Sequence, residues 1–121
     1  MKFSKAFFTV VLFLNLSLVF SQNHSKMNLA DLHNDTVGVQ TNMMFPATSG
    51  KVISLQILKN HQLKEHITNV PALLVCVNGH AVFEDEKGAS VTLRSGDYVN
   101  IQPNVKHWVN AKEDSQLLLI K

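Results

Sequence analysis

The sequence predicts an all-β domain, an antiparallel double-sheet jelly-roll barrel, preceded by an N-terminal signal peptide. Three observations carry this expectation. From about residue 37 onward the chain reads as short apolar or alternating runs separated by turn residues. No window of helical length outside the N-terminus shows an apolar stripe of about 3.6-residue period. The first 21 residues differ in composition from everything that follows.

That N-terminal stretch has the order of an export signal. Lys2 and Lys5 form a short positive region, and 6–20 is apolar apart from Thr9, Asn15 and Ser17. Val19-Phe20-Ser21 then precedes polar Gln22, which predicts cleavage between Ser21 and Gln22 and a secreted or periplasmic location. The stretch is shorter than the roughly 20 apolar residues of a membrane span, so no stable membrane insertion is expected after cleavage. Removing Lys2 and Lys5 from the 11 basic residues leaves 9, equal to the 9 acidic ones, so the net charge of +2 belongs to the signal. A neutral domain without a basic stripe excludes nucleic acid as a partner and argues against a polybasic membrane surface. Cys76 is the single cysteine, so the domain is held by core packing rather than by an internal disulfide.

Residues 22–37 are polar and aperiodic and are expected to form a mobile leader, with Leu29 and Leu32 docking as a short turn. Asn23-His24-Ser25 and Asn34-Asp35-Thr36 match the glycosylation acceptor pattern. The barrel is expected over 38–121. Within it, 52–58 alternates, and 72–77 is a continuous apolar run of the kind buried on both faces. A strand at 81–83 leads into a hairpin turn, Asp85-Glu86-Lys87-Gly88. Strands follow at 89–93, 98–102 after the turn Arg94-Ser95-Gly96-Asp97, 107–111 after Pro103-Asn104, and 115–120. About eight short strands with regular turn signals indicate a sandwich or barrel.

Two histidines stand out. His66 precedes the apolar run that ends before Gly79, and His107 opens a strand beyond Gly96 and the Pro-Asn turn. The spacing resembles that of the cupin superfamily, whose two motifs run Gly, five residues, His-x-His, three or four residues, Glu, six residues, Gly, and then Gly, five residues, Pro-x-Gly, two residues, His, three residues, Asn. Here Asn60 stands for the first Gly, His66 for the first His, Thr68 for the second, Ala72 for the Glu and Gly79 for the closing Gly. In the second half Gly96 and His107 match, while Gln102, Asn104 and Ala111 replace Pro, Gly and Asn, and Pro103 sits one place late. The resemblance covers about 45–121. Asn tolerates the left-handed conformation, so Asn60 and Asn104 are expected to keep the turns.

The resemblance implies a ligand cavity inside the barrel, lined here by His66, Thr68, Ala72, Cys76 and His107. Metal-binding cupins use three His and one Glu, and of these only His66 and His107 are present. One divalent metal ion is the candidate cofactor, held weakly by these two imidazoles. Cys76 is either a third ligand or a small buried hydrophobe. The even spacing of 66, 68, 72 and 76 predicts one cavity-facing strand face, and imidazoles within about 5 Å of each other. The other histidines, His24, His33, His61 and His80, are expected at the surface. Trp108 and Tyr98 line a sugar or aromatic pocket, or pack in the core or at its rim. No nucleophile with a neighbouring base is evident, so no catalytic residue is assigned. The resulting reading is a small exported barrel that binds a small molecule. The alternatives are a metal-dependent oxygenase or isomerase, and a non-catalytic interaction module, with a homodimer through sheet edges as the candidate assembly.

Overall fold

A computed structural model describes residues 26–34, 36, 38 and 40–121. The expected signal peptide, its expected cleavage point and the Asn23-His24-Ser25 triplet therefore lie outside the described residues. Among the described residues nine strands follow one another: β1 (Met27–Asn28), β2 (Val52–Ile57), β3 (Gln62–His66), β4 (Ala72–Asn78), β5 (His80–Asp85), β6 (Ser90–Arg94), β7 (Asp97–Ile101), β8 (His107–Ala111) and β9 (Ser115–Ile120). They form two antiparallel sheets, a five-stranded one in the order β1-β7-β4-β9-β2 and a four-stranded one in the order β3-β8-β5-β6. No helix among the described residues is long and apolar enough to cross a membrane.

Alternation along the strands decides what lies between the sheets. Ala81 and Phe83 on β5, Val91 and Leu93 on β6, and Val109 and Ala111 on β8 are all buried in one cluster. Leu74, Cys76, Val99 and Leu117 meet them from the five-stranded sheet. On β4 the alternation is masked because both faces are covered. Ala72, Leu74 and Cys76 face the barrel, while Leu73 and Val75 join a second cluster with Tyr98 on the outside of the sheet.

The described part of the expected leader covers that outer cluster, and the expected short turn at Leu29 and Leu32 is seen there. Met27 and Asn28 pair with Tyr98 and Asp97 of β7. Asn28 caps a one-turn 3-10 helix, Leu29–Leu32, by accepting a hydrogen bond from the Ala30 amide. Met27, Leu32, Met44 and Phe45 then pack over Leu73, Val75 and Tyr98. The physical reason is the outer sheet face itself. An apolar face left in water loses about 25 cal/mol per Å² of burial, and the N-terminal segment supplies the cover.

A correction concerns β3. The sequence places His61 in a turn and treats His66 as the head of the run through Cys76, yet Gln62–His66 is a separate edge strand in the four-stranded sheet. Its residues are mostly exposed, and its register on β8 shifts between Leu63 and His66. A polar edge strand with a bulge carries almost no apolar alternation.

The turns follow the expected chemistry. Asn60 (φ 68) and Asn104 (φ 62) are the only non-glycine residues with positive φ among those described. Asn60 donates its amide to Ala111 O, and Asn104 to Thr68 O. Each therefore bends the chain and ties it to a neighbouring segment.

Candidate functional site

The register of the four-stranded sheet sets three polar residues in a row at one end of the barrel. His66 of β3 is the Cα partner of His107 on β8, and His107 is in turn the partner of Asp85 on β5. The imidazoles of His66 and His107 meet edge to face, with ring centroids 4.2 Å apart and planes at 60°. Phe83 stacks on the far side of His107 at 5.7 Å. Each ring is fixed through the backbone: His66 Nδ1 lies 2.9 Å from Lys64 O and His107 Nδ1 lies 3.0 Å from Val105 O. A carbonyl only accepts, so Nδ1 carries the proton in both rings. In the neutral form each Nε2 is left with its lone pair.

His66 is half-buried and His107 is 1% exposed. Burial pushes the His107 imidazole below its ordinary value, and the neighbouring His66 pushes the same way. The Val105 carbonyl and the Asp85 carboxylate act in the opposite direction but do not overcome the desolvation. Asp85 is itself buried, and its Oδ1 accepts from the Lys87 and Ala89 amides at 2.8 and 3.0 Å. Asp85 is a site residue that sequence reasoning assigned only to a turn. The signal was its parity with Ala81 and Phe83, the inward positions of β5.

The other expected cavity residues are distributed differently. Thr68 is buried in the loop between β3 and β4, where its hydroxyl donates to Val70 O at 2.8 Å. Ala72 and Cys76 lie on β4, in the opposite sheet from His66, and both are fully buried in the apolar core. The chain turns between His66 and Ala72, so even spacing across these positions does not define one strand face. Ala72 and Cys76 do share a face, as their common parity requires. Burial, and then the Asp97 carboxylate, push the Cys76 thiol up, which keeps it protonated and unsuited to ligation.

The donor set does not fit a chelated metal ion. A metal centre of the zinc type takes at least three protein ligands. Among the described residues no group of three or more His, Cys, Asp or Glu side chains is placed to hold an ion. The Thr68 hydroxyl proton is engaged by a carbonyl, Ala72 has no donor, and the Cys76 thiol sits among hydrocarbon. His66 and His107 alone offer two nitrogens.

No protein-family model and no curated protein matches the chain. Solved structures do. A conserved Streptococcus pyogenes protein of unknown function is 17% identical with a TM-score of 0.54, over 57% of this chain and 60% of that one. A cupin superfamily protein from Desulfitobacterium hafniense is 16% identical with a TM-score of 0.56, over 78% and 87% of the two chains. The Drosophila melanogaster CENP-C cupin domain is 19% identical with a TM-score of 0.53, over 57% and 59%. The match therefore spans about three fifths of the streptococcal chain's length. The class is that of small antiparallel jelly-roll barrels. Within that class the domain has the cupin fold, and at these identities the likeness is one of fold alone.

Proposed function

We propose that this protein is an exported cupin-fold binding domain that holds a small polar molecule at the His66–His107 end of its barrel. The observation that supports this reading is the pair of imidazoles with both Nδ1 protons committed to carbonyls. The remaining two Nε2 lone pairs accept hydrogen bonds from one ligand bearing adjacent donors, such as a primary amide or a diol. A divalent ion is a weak competitor for the same nitrogens, and more so at low pH, because protonated imidazole does not ligate. Long-range 15N spectra of the histidine rings, recorded on chelator-treated protein, test this. Addition of small amides and diols is expected to move the His66 and His107 Nε2 signals together, and His107→Ala to abolish the effect. Ligands that leave both rings unmoved, or binding that needs added metal, refute the reading.

A second reading, self-association, is favoured by one edge. Among the described residues β2 pairs only with β9, and it leaves Val52 66% and Ile53 40% exposed. An apolar edge strand of this kind is a template for a second copy. Sedimentation of the protein and of Val52→Lys tests it: a dimer that the charge dissociates is expected, and a monomer in both forms refutes it.

A further inference from the structure

The outer face of the four-stranded sheet carries a polar concavity that the barrel end does not use. Trp108 is half-buried on β8 and faces away from the core, directly opposite Glu84 of β5. Gln62, Glu65 and Trp108 line a cavity of about 220 Å³. Beside the indole a chain of hydrogen bonds crosses three strands: Gln62 Nε2 donates to Asn110 Oδ1 at 2.9 Å, and Asn110 Nδ2 donates to Glu84 Oε1 at 3.2 Å. That chain orients the two amides and one carboxylate before any ligand arrives, which lowers the ordering cost of binding.

We infer that this face binds a neutral saccharide, one pyranose ring stacking on Trp108 with its hydroxyls on Gln62, Glu65 and Glu84. Three features select that chemistry. The half-buried indole offers a flat apolar surface with a polar edge, matching the C–H face and hydroxyl rim of a sugar ring. Each side-chain amide carries two N–H donors and commits one of them to that chain, so the surroundings offer donors as well as carboxylate acceptors to a ring bearing hydroxyls. The volume suits one ring rather than a drug-sized ligand, for which pockets run to about 300–1,000 Å³.

The test uses purified full-length protein and methyl pyranosides of glucose, galactose and mannose, with choline and arginine methyl ester as cationic probes. Saturation-transfer NMR observes the ligand, and the emission of Trp108, the single tryptophan, observes the site. At least one pyranoside is expected to bind saturably with roughly millimolar affinity and to shift the emission. Gln62→Ala, at an exposed position that leaves the core intact, is expected to weaken binding roughly tenfold. Trp108→Phe, which keeps an aromatic face, is expected to weaken it less than Trp108→Ala. His107→Ala is expected to leave it unchanged, which separates this site from the barrel end. No saturable pyranoside signal, binding that survives both Gln62→Ala and Trp108→Ala, binding lost in His107→Ala, or a response to the cationic probes alone would each overturn the proposal.

Discussion

At the scale of single residues, His107 couples protonation to folding. Its imidazole is buried and held below the ordinary histidine value of 6.5, chiefly by desolvation. The unfolded chain then takes up a proton at higher pH than the folded one, and stability rises with pH wherever the unfolded state binds more protons. The contribution is complete above about pH 6.5 and is lost as pH falls from there through the lower folded value. Tm measured from pH 8 to pH 5 should therefore fall more steeply for this protein than for His107→Phe, whose ring keeps the stacking on Phe83. Equal slopes would exclude His107 as the cause. Gly79 is a second case. A Cβ there would meet Asp114 O and Ser115 Cα at 2.6 Å, at a φ of 114 that L side chains rarely adopt. Gly79→Ala is expected to cost roughly 2–5 kcal/mol in chemical denaturation, from backbone strain together with overpacking. A loss below 1 kcal/mol would show that the turn relaxes. Asn60 and Asn104 were legible as left-handed turn residues because only a few residue types tolerate that conformation. Asp85 was not, since its partnership with His107 arises from strand register rather than from proximity in sequence.

At the scale of elements, the tie between β1 and β7 rests on a few polar atoms. Asn28 Nδ2 donates to Asp97 Oδ1 at 2.8 Å, Lys26 Nζ lies 3.4 Å from Asp97 Oδ2, and the Arg94 amide donates to the same oxygen at 2.8 Å. Burial alone would raise the Asp97 carboxyl, but these partners together hold it below its ordinary value. Asn28→Ala removes both the helix cap and one partner of a buried carboxylate, an expected loss of about 1–3 kcal/mol. The Leu29 amide, which donates to Gly96 O, should then lose hydrogen-exchange protection ahead of β4. Retained protection would place the anchor in the apolar contacts instead. Strand β8 was legible to the residue because its alternation is complete on one buried face, and β9 because its apolar run is bounded by the polar turn at 112–114. β3 was not, because an edge strand of Gln, Lys and Glu with a bulge carries no such pattern. The separation of His66 from Ala72 and Cys76 into opposite sheets followed from missing that strand. The meeting of His66 and His107 was legible only through the resemblance to the cupin motifs.

At the scale of the whole molecule, the N-terminal segment acts as a third layer over the five-stranded sheet. Met44 and Phe45, with Met27 and Leu32, cover a face that includes Leu118 and Ile120. Removing residues up to Phe45 should leave both sheets formed while exposing that face. The expected result is increased binding of a hydrophobic dye and self-association at micromolar concentration, with a strand-dominated circular dichroism spectrum retained. An unchanged, monomeric truncation product would assign the segment no structural role. Of this layer only the turn at Leu29 and Leu32 was legible in the sequence, because Met27, Met44 and Phe45 are irregularly spaced and take their places from the sheet beneath them.

The pairing pattern also governs when this chain is able to fold. Val52 is matched to Ile120 across β2 and β9, and Asn28 to Asp97 across β1 and β7. The five-stranded sheet thus joins strands from the beginning and the end of the domain, so its closure waits until β9 has been synthesised. Loop closure over such separations precedes the contacts that reward it, which makes the collapse late and slow. During synthesis the polypeptide therefore stays extended and threadable. An extended chain is the form a translocation channel accepts, so this delay fits the export proposed for the domain.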